Sequence, residues 1–539
     1  MKKKGFTLVE LLAVIAILAI LVIIALPNVL KMYNDSKKNA FMTEAQNLAK
    51  EVSSKYISES MKGNKVTVIS NKQNPLDMTG RELEYNFELD SQGKIKNMIV
   101  SNGTYCISTN KDYTKITRND ISDKCSYEKL HNIVGTLKNK FYEESGRENR
   151  NLVSSIVFYS DGRTINATES YDVSEKKDGS IKMYVSQNSE NTSLLDLTIV
   201  ANGKIDLPED SSNLFAFYRH YGCGAFGENL QNLQFNNSVS TFNVTNMSSM
   251  FSRSKVTTLD LSSFNTSNVT NMSSMLSSNQ ATEIKGLNKF DTSKVTDMSG
   301  MFTYSKMVTL DLSSFDTLNV TNMSDMFFRS EAAEIKGLNK FNTSKVTDMR
   351  KMFNDSKVTA LDLSSFDTSN VTDMNSMFSS SQATEIKGLN KFNTSKVTDM
   401  VMMFSDSVAI KLDLSSFDTS NVTSMWGMFS RSKATTLDLS SFNTSNVTDM
   451  CSMFNGSDAT EIKGLNKFNT SKVTDMYGMF KESVITALDL SSFDTSKVKR
   501  TNEMFANANT TTGYARTQVD ADKFNNSSNK PSGLTFVVK

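Results

Sequence analysis

The stretch Leu259-Asp260-Leu261-Ser262-Ser263-Phe264-Asn265-Thr266-Ser267-Asn268-Val269-Thr270-Asn271-Met272-Ser273-Ser274-Met275 decides how half of the chain is read. Its apolar skeleton is L-x-L-x-x-F-x-x-x-x-V-x-x-M-x-x-M, and copies of it, mostly closing on Met-Phe, recur along the sequence. The leading methionines are Met247, Met272, Met298, Met323, Met349, Met374, Met400, Met425, Met450 and Met476, with Thr501 in a degenerate eleventh copy. Their spacings alternate between 25 and 26 almost throughout. A fixed period of this size predicts stacked units of a solenoid. Leu-x-Leu has the period of a short strand, and Met-x-x-Met-Phe has the i, i+3, i+4 spacing of about one helical turn. The Thr-Asp before it is placed to accept the free N–H groups at that turn's start. Two forms alternate. The long form, Glu283-Ile284-Lys285-Gly286-Leu287-Asn288-Lys289-Phe290, has one residue more than the short form, and Gly286 reads as a bulge that absorbs it.

Aligned on the phenylalanines, Asp260 falls beside Lys285 of the next copy, and the series continues Asp311, Lys336, Asp362, Lys387, Asp413, Asp438, Lys463, Asp489. Opposite charges on strands ~4.8 Å apart attract, and each surface pair is worth only ~0–1 kcal/mol. The column therefore reads as setting register. Asp413 and Asp438 break the alternation because two short-form copies follow one another, and Trp426, the only tryptophan, lies between them. A repeat lost by recombination explains this. The functional alternative is an acidic patch beside an aromatic anchor, which makes Trp426, Asp413 and Asp438 candidate contacts for a basic ligand.

The composition narrows the chemistry. Among 539 residues, 59 Lys+Arg face 58 Asp+Glu, a net charge of +1, so clustered phosphate contacts are missing and no nucleic-acid partner is expected. His131 and His220 are the only histidines and stand apart, which leaves little for histidine acid–base or metal chemistry. Four scattered cysteines exclude a zinc ribbon or a disulfide-dense scaffold. Met-x-x-Met suits copper(I) thioether ligation, but its recurrence at core spacing points to stacked core methionines. Asp297, Asp348, Asp399 and Asp475 stand singly at capping positions, without the oxygen-dense loop of a calcium site. The expectation is no metal, no cofactor and no enzymatic activity.

At the amino terminus, Met1-Lys2-Lys3-Lys4-Gly5 precedes an apolar run from Phe6 to Leu26, broken only by Thr7 and Glu10. About 20 apolar residues at ~1.5 Å per residue cross ~30 Å of hydrocarbon. The run is therefore predicted to be a transmembrane helix with its lysines inside and the rest of the chain outside. Glu10 is costly there and calls for an opposite charge. Leu83, Tyr85, Phe87 and Leu89 alternate with polar residues as a strand does, followed by strands at Ile95–Val100 and Tyr105–Ser108. Cys106 and Cys125 are disulfide candidates, a bond that would stabilise by roughly 3 kcal/mol. Two free thiols in a reducing setting are the alternative. Further strands are expected from 131 to 207, with hairpins at Asp161-Gly162 and Asn202-Gly203. Leu534–Val538 is expected to cap the stack as a last strand.

Two resemblances follow from these residues. Lys4-Gly5-Phe6-Thr7-Leu8-Val9-Glu10 resembles the type IV prepilin signal. This implies cleavage by prepilin peptidase between Gly5 and Phe6, N-methylation of Phe6, and pairing of Glu10 with the Phe6 ammonium of a neighbouring pilin subunit. Pro27 matches that family's helix-interrupting proline. The repeats, about 240–505, resemble the BspA-like leucine-rich-repeat surface proteins, which lie on bacterial and protozoan surfaces and are implicated in adhesion. The implied class is α+β, a long N-terminal pilin-type transmembrane helix with a small antiparallel β head, followed by a leucine-rich-repeat-like solenoid of about eleven 25/26-residue coils. The expected division is leader 1–5, helix 6–62 (6–26 transmembrane), β head 63–130, β-rich lead-in 131–207, repeats 208–510 and cap 511–539. The implied function is a pilin-like subunit at the cell surface or pilus, held in the membrane by its N-terminal helix. It would display the repeats for adhesion to a host, matrix or cell-surface protein. The alternative is a pseudopilin of a secretion or DNA-uptake machine.

Overall fold

Phe41, Ala45, Leu48, Ala49 and Val52 recur at helical spacing, and all five are buried on one face of α1 (Leu8–Met61). They share a core with Tyr85, Phe87, Met98, Val100 and Ile107 of a five-stranded antiparallel sheet. Its strands are β1 (Val68–Ser70), β2 (Glu84–Leu89), β3 (Ile95–Ser101), β4 (Cys106–Thr109) and β5 (Ile121–Ser122), in sequential order. The β2–β3 turn is closed by Asp90, whose Oδ1 accepts the Gln92 and Lys94 amides at 2.9 Å each. This computed structural model describes residues 8–70, 75–76, 83–102, 105–122, 133–138, 141, 152–216 and 229–539. The side chains of 8–31, 33, 84, 133 and 134 lie outside that description. The chain divides into two compact units, 1–133 and 134–539.

The expected transmembrane helix is corrected. Among the described residues no helix is long and apolar enough to cross a membrane. The apolar run 6–26 falls on side chains that are not described, and the described part of α1 carries Asp35, Lys37, Lys38, Lys50 and Glu51, charges that bar it from hydrocarbon.

The second unit opens with β6 (Ile133–Thr136), β7 (Val153–Tyr159), β8 (Glu169–Asp172), β9 (Ile181–Gln187), β10 (Leu195–Ala201), β11 (Lys204–Asp206), β12 (Asn232–Gln234) and β13 (Val239–Ser240). They form sheets ordered β12–β7–β10–β9–β8 and β13–β11–β6. The two expected hairpins are not formed. β7 pairs in parallel with β10 rather than with β8, and β10 and β11 lie in different sheets, so Asp161-Gly162 and Asn202-Gly203 are turns that redirect the chain. One hydrophobic core runs from Leu137 through the repeats to Phe536.

In the repeats the expected α+β class and leucine-rich-repeat-like solenoid are also corrected. The repeat region is β and turn structure built from many small sheets. Four short-form strands pair in parallel with the long-form strand after them: Thr258–Asp260 with Glu283–Lys285, Thr309–Asp311 with Glu334–Lys336, Ala360–Asp362 with Glu385–Lys387, and Thr436–Asp438 with Glu461–Lys463. The pairing then stops. Gly286 ends its strand in the left-handed region at φ 86° and caps the 3-10 turn Leu287–Lys289, which carries the chain away from the next short-form strand. A cleft of about 360 Å³ opens at the corresponding place between Lys336 and Asp362.

The Met-x-x-Met-Phe segment is not a helical turn either. The residue before the second methionine takes positive φ in copy after copy: Ser249 54°, Ser274 53°, Gly300 60°, Asp325 57°, Lys351 52°. In the left-handed region the amide turns outward, so Lys351 N–H reaches Asn375 O of the next copy at 2.8 Å. A second left-handed residue follows four positions on, as at Asp355, φ 52°.

What holds successive copies together is a set of columns. Parallel bridges join Asn246, Asn271, Asp297, Asn322, Asp348, Asp373, Asp399, Ser424, Asp449, Asp475 and Arg500. Phe302, Phe327, Phe353, Phe378, Phe404, Phe429, Phe454, Phe480 and Phe505 stack face to face, with centroids 5.4–6.0 Å apart. Such contacts add about 0.5–1.5 kcal/mol each beyond burial. Buried threonines tie one copy to the next: Thr343 Oγ1 donates to Asp367 O at 2.9 Å and Thr368 Oγ1 to Asn393 O at 3.0 Å. At the far end α2 (Gln518–Asn525) and a three-stranded sheet, Ala487–Leu490, Thr512–Ala515 and Thr535–Val538, close the stack.

Candidate functional site

Comparing copies within the one chain separates structural from variable positions. Phe, Met, Val and the bonded Thr recur because the core columns require them. The two residues between the methionines, and the two after the following Phe, vary freely. They include Ser273, Arg350, Val401, Trp426, Cys451 and Tyr477 in the first set, and Tyr304, Phe328, Arg329, Asp355 and Arg431 in the second. This turn face collects tryptophan, tyrosine and arginine, the residue types that dominate binding interfaces. On it Tyr304 and Phe328 meet edge to face with centroids 5.3 Å apart. Arg329 lies 5.3 Å from the Phe328 ring and 5.4 Å from the Tyr304 ring, donates to the Tyr304 hydroxyl at 2.8 Å, and pairs with Asp355 at 2.9 Å.

The bridge column borders this face. Each aspartate there accepts the amide two residues on: Asp297 from Ser299 at 2.8 Å, Asp348 from Arg350 at 3.0 Å, Asp399 from Val401 at 2.9 Å, Asp475 from Tyr477 at 2.9 Å. These contacts turn the chain, and among the described residues no group of three His, Cys, Asp or Glu is placed to hold a metal ion. Asp373 is pushed above the usual aspartate range by burial, opposed by the Asn375 amide and reinforced by the carboxylates of Asp348 and Asp399. The methionines, such as Met298 and Met301, are fully buried in the core.

The residues singled out in the sequence fall in several places. Asp260 is the register partner of Lys285, yet its carboxylate is held below its ordinary range mainly by Ser262, whose amide it accepts at 2.9 Å, with Lys285 contributing less. Asp438 ends the strand Thr436–Asp438, and Asp413 holds Ser415 in the neighbouring copy, where no strand forms. Trp426 lies on the turn face at 44 % exposure. No contact among the described residues joins Trp426 to either aspartate, so the proposed three-residue cluster is not assembled. Cys106 is disulfide-bonded. Cys125, His131, His220, Gly5 and Phe6 lie outside the described residues, as does the side chain of Glu10. The Tyr304–Phe328–Arg329 cluster escapes sequence reading because Tyr304 sits in the copy before the one that holds Phe328 and Arg329; the signal available was the confinement of aromatics and arginines to variable positions.

Comparison with known proteins bears on both ends of the chain. Residues 1–26 match the prokaryotic N-terminal methylation motif, which points to a type IV pilin-like surface protein processed by prepilin peptidase. No curated protein and no solved structure matches significantly. The repeats match one family model four times over, at 223–336, 276–389, 356–463 and 432–530, together more than half of the chain. By that match the chain belongs to the family described as Mycoplasma protein of unknown function, DUF285.

Proposed function

We propose that the chain is a pilin-like subunit that carries its repeats on the cell surface or a pilus as a binding surface for a host, matrix or cell-surface protein. The observation that carries this reading is the methylation motif over residues 1–26, joined in one chain to a long array of repeats. Prepilin peptidase cuts between Gly5 and Phe6, and the new amino group of Phe6 is methylated. Glu10 then faces the Phe6 ammonium of a neighbouring subunit, since a carboxylate among apolar residues is relieved by an opposite charge. The turn face of the repeats, with its variable aromatic and arginine positions, is the part that engages the partner.

Two variants test this. Gly5→Leu is expected to leave a precursor about five residues longer in the cell fraction, seen by immunoblot. Glu10→Ala is expected to be cut normally but to be lost from sheared surface filaments. Normal surface recovery of both variants would refute the reading.

A further inference from the structure

Several exposed or half-buried rings of the second unit carry a cation, and among the described residues the exposed Trp426 does not. Tyr304 and Phe328 share Arg329. Tyr477 takes Arg500, whose guanidinium lies 5.0 Å from the ring and also donates to Asp475 Oδ2 at 2.7 Å. Farther on, Tyr514 takes Lys539 at 5.3 Å. Trp426, at 44 % exposure, has no cation over its ring among the described residues.

The repeat register explains why. Arg500 reaches Tyr477 from the bridge column, as the parallel partner of Asp475 in the preceding copy. The residue in the same relation to Trp426 is Asp449, the bridge partner of Ser424. A carboxylate thus stands where Tyr477 has a guanidinium. On the other side of Ser424 the column continues to Asp399. Asp399 accepts the Asn375 side-chain amide at 3.3 Å and Asp449 the Cys451 amide at 2.8 Å, but among the described residues neither forms an ion pair, while Asp475 and Asp348 on the same column do. Apolar surface for an aliphatic stem lies alongside: Met402 donates its amide to Trp426 O at 2.9 Å, and Val401 precedes it.

We propose that Trp426, with Asp399 and Asp449, is a docking point for an arginine- or lysine-bearing extended segment of a partner protein. The incoming cation takes the place over Trp426 that Arg500 takes over Tyr477, covering the ring and supplying the positive charge that the two carboxylates lack. The assignment rests on the repeats being a displayed binding surface and adds the chemistry of what they bind.

The only tryptophan in the chain is the probe. The purified full-length protein is titrated with a fluorescein-labelled (Arg-Ser-Gly)4 peptide, following Trp426 emission and peptide anisotropy. The expected result is a saturable change in emission that weakens with salt. Binding falls about tenfold in Trp426→Ala and in Asp399→Asn/Asp449→Asn, at unchanged thermal midpoint, and a (Glu-Ser-Gly)4 peptide gives no response. Absence of binding, binding without a change in Trp426 emission, or undiminished binding by Trp426→Ala would overturn the proposal. Surface display is read separately, by protease accessibility of the wild-type protein on whole cells. A peptide failure with intact display therefore removes only this docking point.

Discussion

Asp520 Oδ1 accepts both the amide of Thr495, at 2.9 Å, and its hydroxyl, at 2.7 Å. In the copy before, the equivalent hydroxyl of Thr470 reaches a main-chain oxygen, that of Asp494, at 3.0 Å. Asp520, on α2 and fully buried, therefore replaces the carbonyl of a copy that is not there. Asp520→Ala strands two buried donors and is expected to lower stability by about 3 kcal/mol. Asp520→Asn keeps an oxygen and is expected to lose less. Urea unfolding followed by circular dichroism measures both.

The same residue sets an acid limit. Burial raises the Asp520 carboxyl, but hydrogen bonds from Thr517, Thr495 and Arg516 outweigh it and hold it below its ordinary range. A depressed carboxylate stabilises fully above its unfolded value of about 4 and stops doing so as the pH falls through the lower folded value. Stability of the wild-type protein is expected to drop more steeply below about pH 4 than that of Asp520→Asn, for which this linkage is absent. Thermal midpoints from pH 6 down to pH 2.5 check this; parallel curves would reject it.

Gly337 gives a controlled test of the strand-ending turn. It sits at φ 86°, and an added Cβ would lie 2.7 Å from the backbone of Ser313 in the preceding copy. Gly179, in the same unit, has φ 75° with nothing within 4 Å of that position. Gly179→Ala is expected to cost about 1 kcal/mol, from the left-handed backbone alone. Gly337→Ala adds a clash with rigid backbone and is expected to cost about 3 kcal/mol or more. Equal losses would show that close approach does not explain the glycine.

The turn face stores strain that glycine releases. Lys351, exposed and at φ 52°, occupies the position that Gly300, Gly427 and Gly478 fill in other copies. Lys351→Gly is expected to change stability by no more than about 1 kcal/mol in the favourable direction, since relief of the left-handed penalty is offset by the freedom glycine gains when unfolded. Lys351→Val, β-branched, is expected to be clearly destabilising.

The sequence shows the period, the core Leu, Phe, Val and Met positions and the Asp260–Lys285 register, because each is repeated and a repeated apolar pattern has few ways to be buried. It misleads at Met-x-x-Met-Phe. The i, i+3, i+4 spacing that suggests a helix is also produced by a turn that buries both methionines. The left-handed residue between them is Ser, Gly, Asp, Lys or Met, so composition gives no warning. Gly286 is recognisable as the extra residue, but not that its turn would end strand pairing at every second junction. Trp426 invites pairing with Asp413 and Asp438, between which it lies in the sequence. The register relation that matters runs along the bridge column instead, where Ser424, two residues before Trp426, is the parallel partner of Asp399 and Asp449.

If the pilin-type amino terminus and the repeat array work as one surface subunit, both are found in the same processed chain. Intact-mass and peptide mass spectrometry of the protein recovered from the cell surface is expected to show a chain beginning at Phe6, with a methylated amino group, and continuing through the repeats. A surface protein that retains Met1, or one that begins at an unmodified residue elsewhere, would contradict it.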